Sequence, residues 1–316
     1  MQHCIFPLIH CKSTDYHVYE LTQNKHPFYM KKVLLAGATG HLGRHIFREL
    51  KQQGYEVRVL ARNLKKAQSL FPDPEELVLA DATKPQELEG CCAGVEVVIS
   101  ALGKNLSLRH KGIGSFHDIN YEANLHLLQE AEQAGVQQFV YISAFGAGQF
   151  PQLAYFDAHA DFEKALRYSS LTHTILKPVA LFSMLEEMAI MARKGHIGQL
   201  GQGDRLINPI YDGDVAGFAV SCIGSPSQTL ELGGPATYTR QELAQLVCEA
   251  ASYSGRVTEI PLDYVETLLP FVRLLSRNLY DKLAFMAAVS KTDCVAPTVG
   301  QFSLEAYFEL EPQLSN

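Results

Sequence analysis

The stretch Val33-Leu34-Leu35-Ala36-Gly37-Ala38-Thr39-Gly40-His41-Leu42-Gly43-Arg44 decides the fold. A short apolar run reads as a buried strand. It breaks into glycines at every third position, and helical spacing then begins at Ile46, Phe47 and Leu50. Gly37 permits the tight turn, Gly40 lets the main chain approach a pyrophosphate, and Gly43 lets the helix pack closely on the strand. Thr39, His41, Leu42 and Arg44 share this turn and first helical segment, whose N–H groups and dipole would face the phosphates. Gly54 ends the helix and Tyr55 to Leu60 supplies a second strand, so a βαβ half-unit is complete.

The end of the second strand bears on which dinucleotide is held. A site selecting NAD(H) places a carboxylate there for the ribose 2′-OH, but this chain has Leu60-Ala61-Arg62-Asn63. Arg62 and Arg44, with Lys65 and Lys66 nearby, would instead meet a 2′-phosphate through charge-assisted hydrogen bonds. NADP(H) is therefore expected over NAD(H). Asp81, followed by Ala82, closes a third strand and could accept from the adenine amine or cap the turn at Pro85; both roles are open. Ala101, Leu102 and Gly103 follow the fourth strand, where small residues let backbone lie against ribose and pyrophosphate. Lys177 and Pro178 are expected just after the sixth strand, at the mouth where a nicotinamide would lie.

Strand-like runs at 33–36, 56–60, 77–79, 95–100, 138–143 and 172–176 alternate with helical patterns, which implies an α/β fold. The expected architecture is a Rossmann-type doubly wound parallel sheet with a smaller C-terminal lobe. Residues 30–180 would form the dinucleotide domain, with later strand contributions from about 205–235, and 181–316 a mainly helical lobe. Residues 1–29 hold four of the twelve histidines and no helical periodicity, so they read as an extension or a mis-called start before Met30. No basic run precedes an apolar one there, as a signal peptide requires.

The formal charge of −7 and the lack of a Lys/Arg cluster argue against nucleic acid as a ligand. Seven cysteines without a C-x-x-C pair read as free thiols in a reducing compartment, so a cytoplasmic location is expected and no metal site.

Several of these segments together resemble the atypical and extended branch of the short-chain dehydrogenase/reductase superfamily. They are Gly37-x-x-Gly40-x-x-Gly43, the Asp81 strand end, Ser100-Ala101-Leu102-Gly103, Tyr141-Ile142-Ser143 and Thr174-Ile175-Leu176-Lys177-Pro178. Asn208-Pro209-Ile210-Tyr211-Asp212 and Leu232-Gly233-Gly234-Pro235 extend the likeness to about residue 260. The flavour is that of NmrA-like proteins and of the NADPH-holding accessory subunit of respiratory complex I. Working dehydrogenases of this superfamily use a Tyr-x-x-x-Lys pair and a serine. The resemblance assigns these roles to Tyr155, to His159 in the lysine position, and to Ser143.

Two readings follow. In the first, the protein is an NADPH-dependent reductase of a small apolar carbonyl or enone, with Tyr155 as proton donor assisted by His159. In the second it is a non-catalytic NADP(H)-binding redox sensor or assembly factor, as the missing lysine suggests. Leu268, Val272, Leu275, Leu279, Leu283 and Met286, behind Pro270 in a first turn, predict one long amphipathic helix with Arg273, Arg277, Asp281 and Lys282 on its wet side. It would pack against the core of the C-terminal lobe, or else border the substrate pocket, meet a protein partner, or attach to a membrane surface.

Overall fold

The computed structural model describes residues 31–71, 76–108 and 114–314, with side chains through residue 309. The expectations for residues 1–29 lie outside the described residues.

The first strand, β1 (Lys32–Ala36), turns through Gly37 into α1 (His41–Gln52). There follow β2 (Glu56–Ala61), α2 (Leu64–Leu70), β3 (Glu76–Leu79), a 3-10 turn at Pro85–Leu88, and β4 (Val97–Ser100). A π-helical turn, His117–Glu122, then runs directly into α3 (Ala123–Gln133), which stops at Gly135 with φ +74°. β5 (Gln138–Ile142), α4 (Ala154–Tyr168) and β6 (Thr172–Pro178) complete the first six strands. Beyond them come α5 (Phe182–Arg193), β7 (Gly198–Leu200), β8 (Leu206–Ile207), α6 (Asp212–Ser221) and β9 (Gln228–Leu232). The chain ends with β10 (Tyr238–Thr239), α7 (Arg240–Ala250), β11 (Thr258–Ile260), α8 (Leu262–Leu275), α9 (Arg277–Val289) and α10 (Leu304–Leu314).

The central sheet has seven parallel strands in the order β3-β2-β1-β4-β5-β6-β9. Chain order reverses between β1 and β4, and the crevice at that switch point is where ligands of open α/β sheets bind. Helices cover both faces. Leu42, Ile46 and Leu50 of α1 pack with Val215, Ala216 and Ala219 of α6 on one side. Leu127 and Leu128 of α3 pack with Phe162 and Leu166 of α4 on the other. A separate cluster including Phe182, Leu185, Val247 and Tyr307 forms the core of α5, α7 and α10. No helix among the described residues is long and apolar enough to cross a membrane.

Four expectations need correction. Strand β6 runs two residues further than its apolar pattern, because Lys177 and Pro178 stay in register with Glu231 and Leu232 of β9. Lys177 and Pro178 therefore lie inside the sheet, at its C-terminal edge. The 268–286 stripe is not one helix but the end of α8 and most of α9. Ser276, extended at φ −157°, breaks the run and its hydroxyl caps α9 by accepting from Leu279 N–H. Pro270 sits within α8, not in a first turn. Asp281 and Lys282 are buried, not on a wet side, because this face of α9 meets the segment after β4, where Lys282 Nζ donates to the Ser107 carbonyl.

Candidate nucleotide site and its neighbours

The glycine turn is built as its spacing demands. Gly37 has φ +82°, a conformation that favours glycine, and a Cβ there would lie 2.5 Å from the Ala101 carbonyl oxygen. A Cβ on Gly43 would overlap the Gly37 carbonyl. These contacts bring the Gly37 turn, the start of α1 and the end of β4 together at the switch point. Gly40 caps α1 without a side-chain acceptor, so the first-turn N–H groups of His41 and Leu42 keep their donor capacity for a phosphate. Leu42 and Gly43 are buried, whereas Thr39 is half-buried and Gly40 and His41 are exposed.

Arg44, one turn into α1, has a buried Nε with no hydrogen-bond partner among the described residues. A buried guanidinium N–H without an acceptor fits an anionic group arriving from outside the chain. Arg62 is exposed at the end of β2, and its charge acts on Asp81 at the end of β3. Burial would raise the Asp81 carboxyl, but the N–H and hydroxyl of Thr83, with Arg62 and Lys84, outweigh it and hold the group below its ordinary value. Asp81 thus caps the turn at Thr83, while the residue before the Pro85–Leu88 turn is Lys84. Ala82 is buried beside it, and Ala101, Leu102 and Gly103 lead away from β4 at the crevice. The glycine cradle, the uncapped helix start and the arginine pair all suit a dinucleotide.

A buried polar network stands behind the crevice. Asn120, in the π-helical turn, accepts from the Lys104 backbone N–H at 2.8 Å through Oδ1. That fixes its amide nitrogen toward His159 Nε2, 3.1 Å away. Nε2 must then be the acceptor, so the proton of neutral His159 is on Nδ1 and points at the Tyr141 hydroxyl, 2.6 Å distant. The Tyr141 O–H in turn reaches the Asn120 carbonyl at 3.4 Å. Burial, with a smaller contribution from the Lys177 charge, lowers His159 to about 3. Asn124 closes the network by accepting from the Ser100 hydroxyl at 2.6 Å and donating to the Asn120 carbonyl.

Tyr155 and His159 do share a face of α4, with ring centroids 4.8 Å apart in an edge-on arrangement. Both imidazole nitrogens, however, are engaged by Tyr141 and Asn120. Tyr155 lies against Phe116, Phe156 and Phe285, and its hydroxyl has no hydrogen-bond partner among the described residues. Burial pushes it well above the ordinary phenol value. Ser143 and Lys177 face elsewhere, toward Glu163. That buried carboxylate accepts from the Ser143 hydroxyl at 2.6 Å and from Arg167 at 3.0 Å, and pairs with Lys177 Nζ at 3.2 Å. Lys177 Nζ also donates to the Ala147 carbonyl. Sequence reasoning missed Glu163, Asn120, Asn124, Tyr141 and Lys104. The polar residues Asn120, Asn124 and Glu163 within otherwise apolar helical faces were the available signal.

The fold and this cradle define a dinucleotide-binding protein of Rossmann type. A family model described as NAD(P)H-binding matches residues 37–226. The chain is 30% identical over 288 residues to the photosystem II assembly factor Ycf39 of Guillardia theta, covering 86% of this chain and 89% of that protein. It is 28% identical over 256 residues to the chloroplastic divinyl chlorophyllide a 8-vinyl-reductase of Zea mays, covering 75% of this chain and 63% of that one. Among solved structures, the NADPH complex of the NADPH-dependent quinone oxidoreductase QOR2 of Escherichia coli superposes with a TM-score of 0.67 at 21% identity, over 90% of this chain and all of that one. The chain belongs to the NAD(P)H-binding family.

Proposed function

We propose that this protein is an NADPH-dependent reductase whose acceptor is an apolar, conjugated molecule. The observation that carries the reading is Tyr155: a phenol set in an aromatic wall, with no hydrogen-bonded cation to make it a proton donor. Reduction of a simple ketone by the tyrosine route needs a proton delivered to a localised alkoxide. A conjugated enone or quinone spreads the charge over its own π-system and requires less of the protein. In this reading the cofactor supplies a hydride from its nicotinamide. Half-buried Tyr155 and Phe285 would meet an apolar ring, with Phe116 and Phe156 buried behind them; Tyr155 would donate a hydrogen bond to the acceptor oxygen while keeping its proton, and the reduced anion would take its proton from solvent. Arg44 and Arg62 select the 2′-phosphate. NADPH oxidation followed at the nicotinamide absorbance should be fast with a naphthoquinone and negligible with an aliphatic ketone. Equal rates with the ketone would overturn the reading.

A second reading is supported by the likeness to Ycf39 over nearly the whole of both chains: an assembly-type protein whose partner contacts depend on the bound nucleotide. Absence of turnover with any conjugated acceptor, together with NADPH-dependent capture of a protein partner, would favour it.

A further inference from the structure

The hairpin of α8 and α9 carries a surface that the nucleotide site does not use. Helix α9 packs inward, its Ala284, Phe285 and Ala288 meeting Ala144, Ala147 and Phe156. Helix α8 lies outside it and has no buried residue among its 14. Its half-buried positions Leu262, Val265, Leu269 and Val272 form one stripe at helical spacing. A second apolar stripe, Tyr264, Leu268, Phe271 and Leu275, points to solvent. At the hairpin tip Leu274 and Leu275 are 85% and 88% exposed and Phe271 is 63% exposed. Scattered exposed leucines are ordinary, but adjacent ones at the apex of a projecting hairpin form a contiguous patch.

The charges around the tip indicate what covers it. Between Glu266 and Asp281 there are two arginines, Arg273 and Arg277, and no carboxylate; Arg277 is paired with Asp281 at 2.9 Å, so the charge of the tip rests chiefly on Arg273. Both guanidinium groups lie over the Tyr280 ring, at 5.5 and 5.7 Å, which holds them beside the apolar apex. A chain with a formal charge of −7 therefore presents a basic, leucine-tipped end. A second copy of the chain seated tip to tip would bring arginine against arginine. An exposed apolar apex bordered by Arg273, the Arg277–Asp281 pair and Tyr280 matches an anionic bilayer surface, where leucine and phenylalanine enter the acyl boundary and arginine meets headgroup phosphates.

We infer that the α8–α9 tip is a membrane-surface anchor that inserts Phe271, Leu274 and Leu275 into anionic lipid. This is independent of the chemistry at the nucleotide site. It predicts that the full chain co-sediments with vesicles of phosphatidylcholine and phosphatidylglycerol, and at least tenfold less with phosphatidylcholine alone. Leu274→Ser with Leu275→Ser should abolish sedimentation at unchanged melting temperature and NADPH affinity, since both side chains are almost fully exposed. Arg273→Gln, which leaves the Arg277–Asp281 pair in place, should reduce the preference for the anionic vesicles. Three outcomes overturn the inference: no sedimentation of the full chain with either vesicle, a double-leucine variant that sediments like the parent, or a vesicle-free dimer that the double-leucine change dissolves. The second would move the contact to another segment, and the third would make the tip a protein interface.

Discussion

His159 Nδ1 lies 2.6 Å from the hydroxyl of Tyr141, so the imidazole that the sequence resemblance assigns to the lysine position is turned into the core. Its proton is held in a closed circuit with Tyr141 and Asn120. A lysine at this position would bring a charge that the circuit does not accommodate, whereas a neutral imidazole can both donate and accept.

Acid should weaken the fold through this residue. His159 is lowered to about 3 and His45 to about 4, each chiefly by burial, against an unfolded value near 6.5. The unfolded chain binds these protons first, so stability is full above pH 6.5 and is lost as pH falls toward the folded values. From pH 7 to pH 5 the His159 contribution alone is about 2 kcal/mol. Chemical denaturation of His159→Gln should start from a lower stability at pH 7 yet decline by about that much less than the parent. A parallel decline in both proteins would show that His159 is protonated in the folded state.

Glu163 should behave as a buried hub. Removing the carboxylate strands Lys177, which is itself buried, and frees the Ser143 hydroxyl. Glu163→Ala is expected to cost about 3–5 kcal/mol, the usual size for breaking one side of a buried pair. Glu163→Leu combined with Lys177→Met should recover most of that loss, because no charge is then left without a partner. Urea denaturation of the single and double variants gives the comparison, and additive losses would mean that the pair is not coupled.

How much of this was legible differs by kind of residue. The strand, glycine turn and helix at 33–52 were readable because each glycine has a local steric reason that the chain itself supplies. The NADP(H) expectation rested on Arg44 and Arg62, and the structure sets the first with a buried orphan donor and the second beside Asp81. The partners of Ser143, Lys177 and His159 were not readable. Glu163, Asn120 and Tyr141 lie 14 to 39 residues from the groups they bind, and nothing in local spacing reports which side chain crosses the core. The 268–286 stripe misled for the opposite reason, since its period continues across Ser276 although the backbone does not.

Cofactor choice should depend on the two arginines unequally. Arg44 has its Nε buried, so its contact with a 2′-phosphate would be shielded from solvent, whereas Arg62 is exposed and screened. In calorimetric titrations Arg44→Ala should weaken NADPH by roughly 10- to 100-fold, the range for hydrogen bonds to a charged group, and Arg62→Ala by less. NADH affinity should change little in either. Equal weakening of both nucleotides by Arg44→Ala would place that side chain on the pyrophosphate or in the fold.

Tyr155 provides the sharpest test of the chemistry. Burial keeps its proton in place at neutral pH, and neither His159 nor Lys177 is positioned to draw it off, since each is engaged by other partners. A tyrosine acting only as a hydrogen-bond donor to a delocalised acceptor contributes far less than one that transfers a proton, for which a loss of about 100-fold or more is usual. With a naphthoquinone as acceptor, Tyr155→Phe should lower kcat by only about tenfold, leave NADPH affinity within a few-fold, and leave the pH profile between 6 and 9 flat. The ring remains in the aromatic wall with Phe116 and Phe285, so the variant should fold. A loss beyond 100-fold, with a new pH dependence or solvent isotope effect, would restore Tyr155 as the general acid and identify proton transfer as part of the slow step.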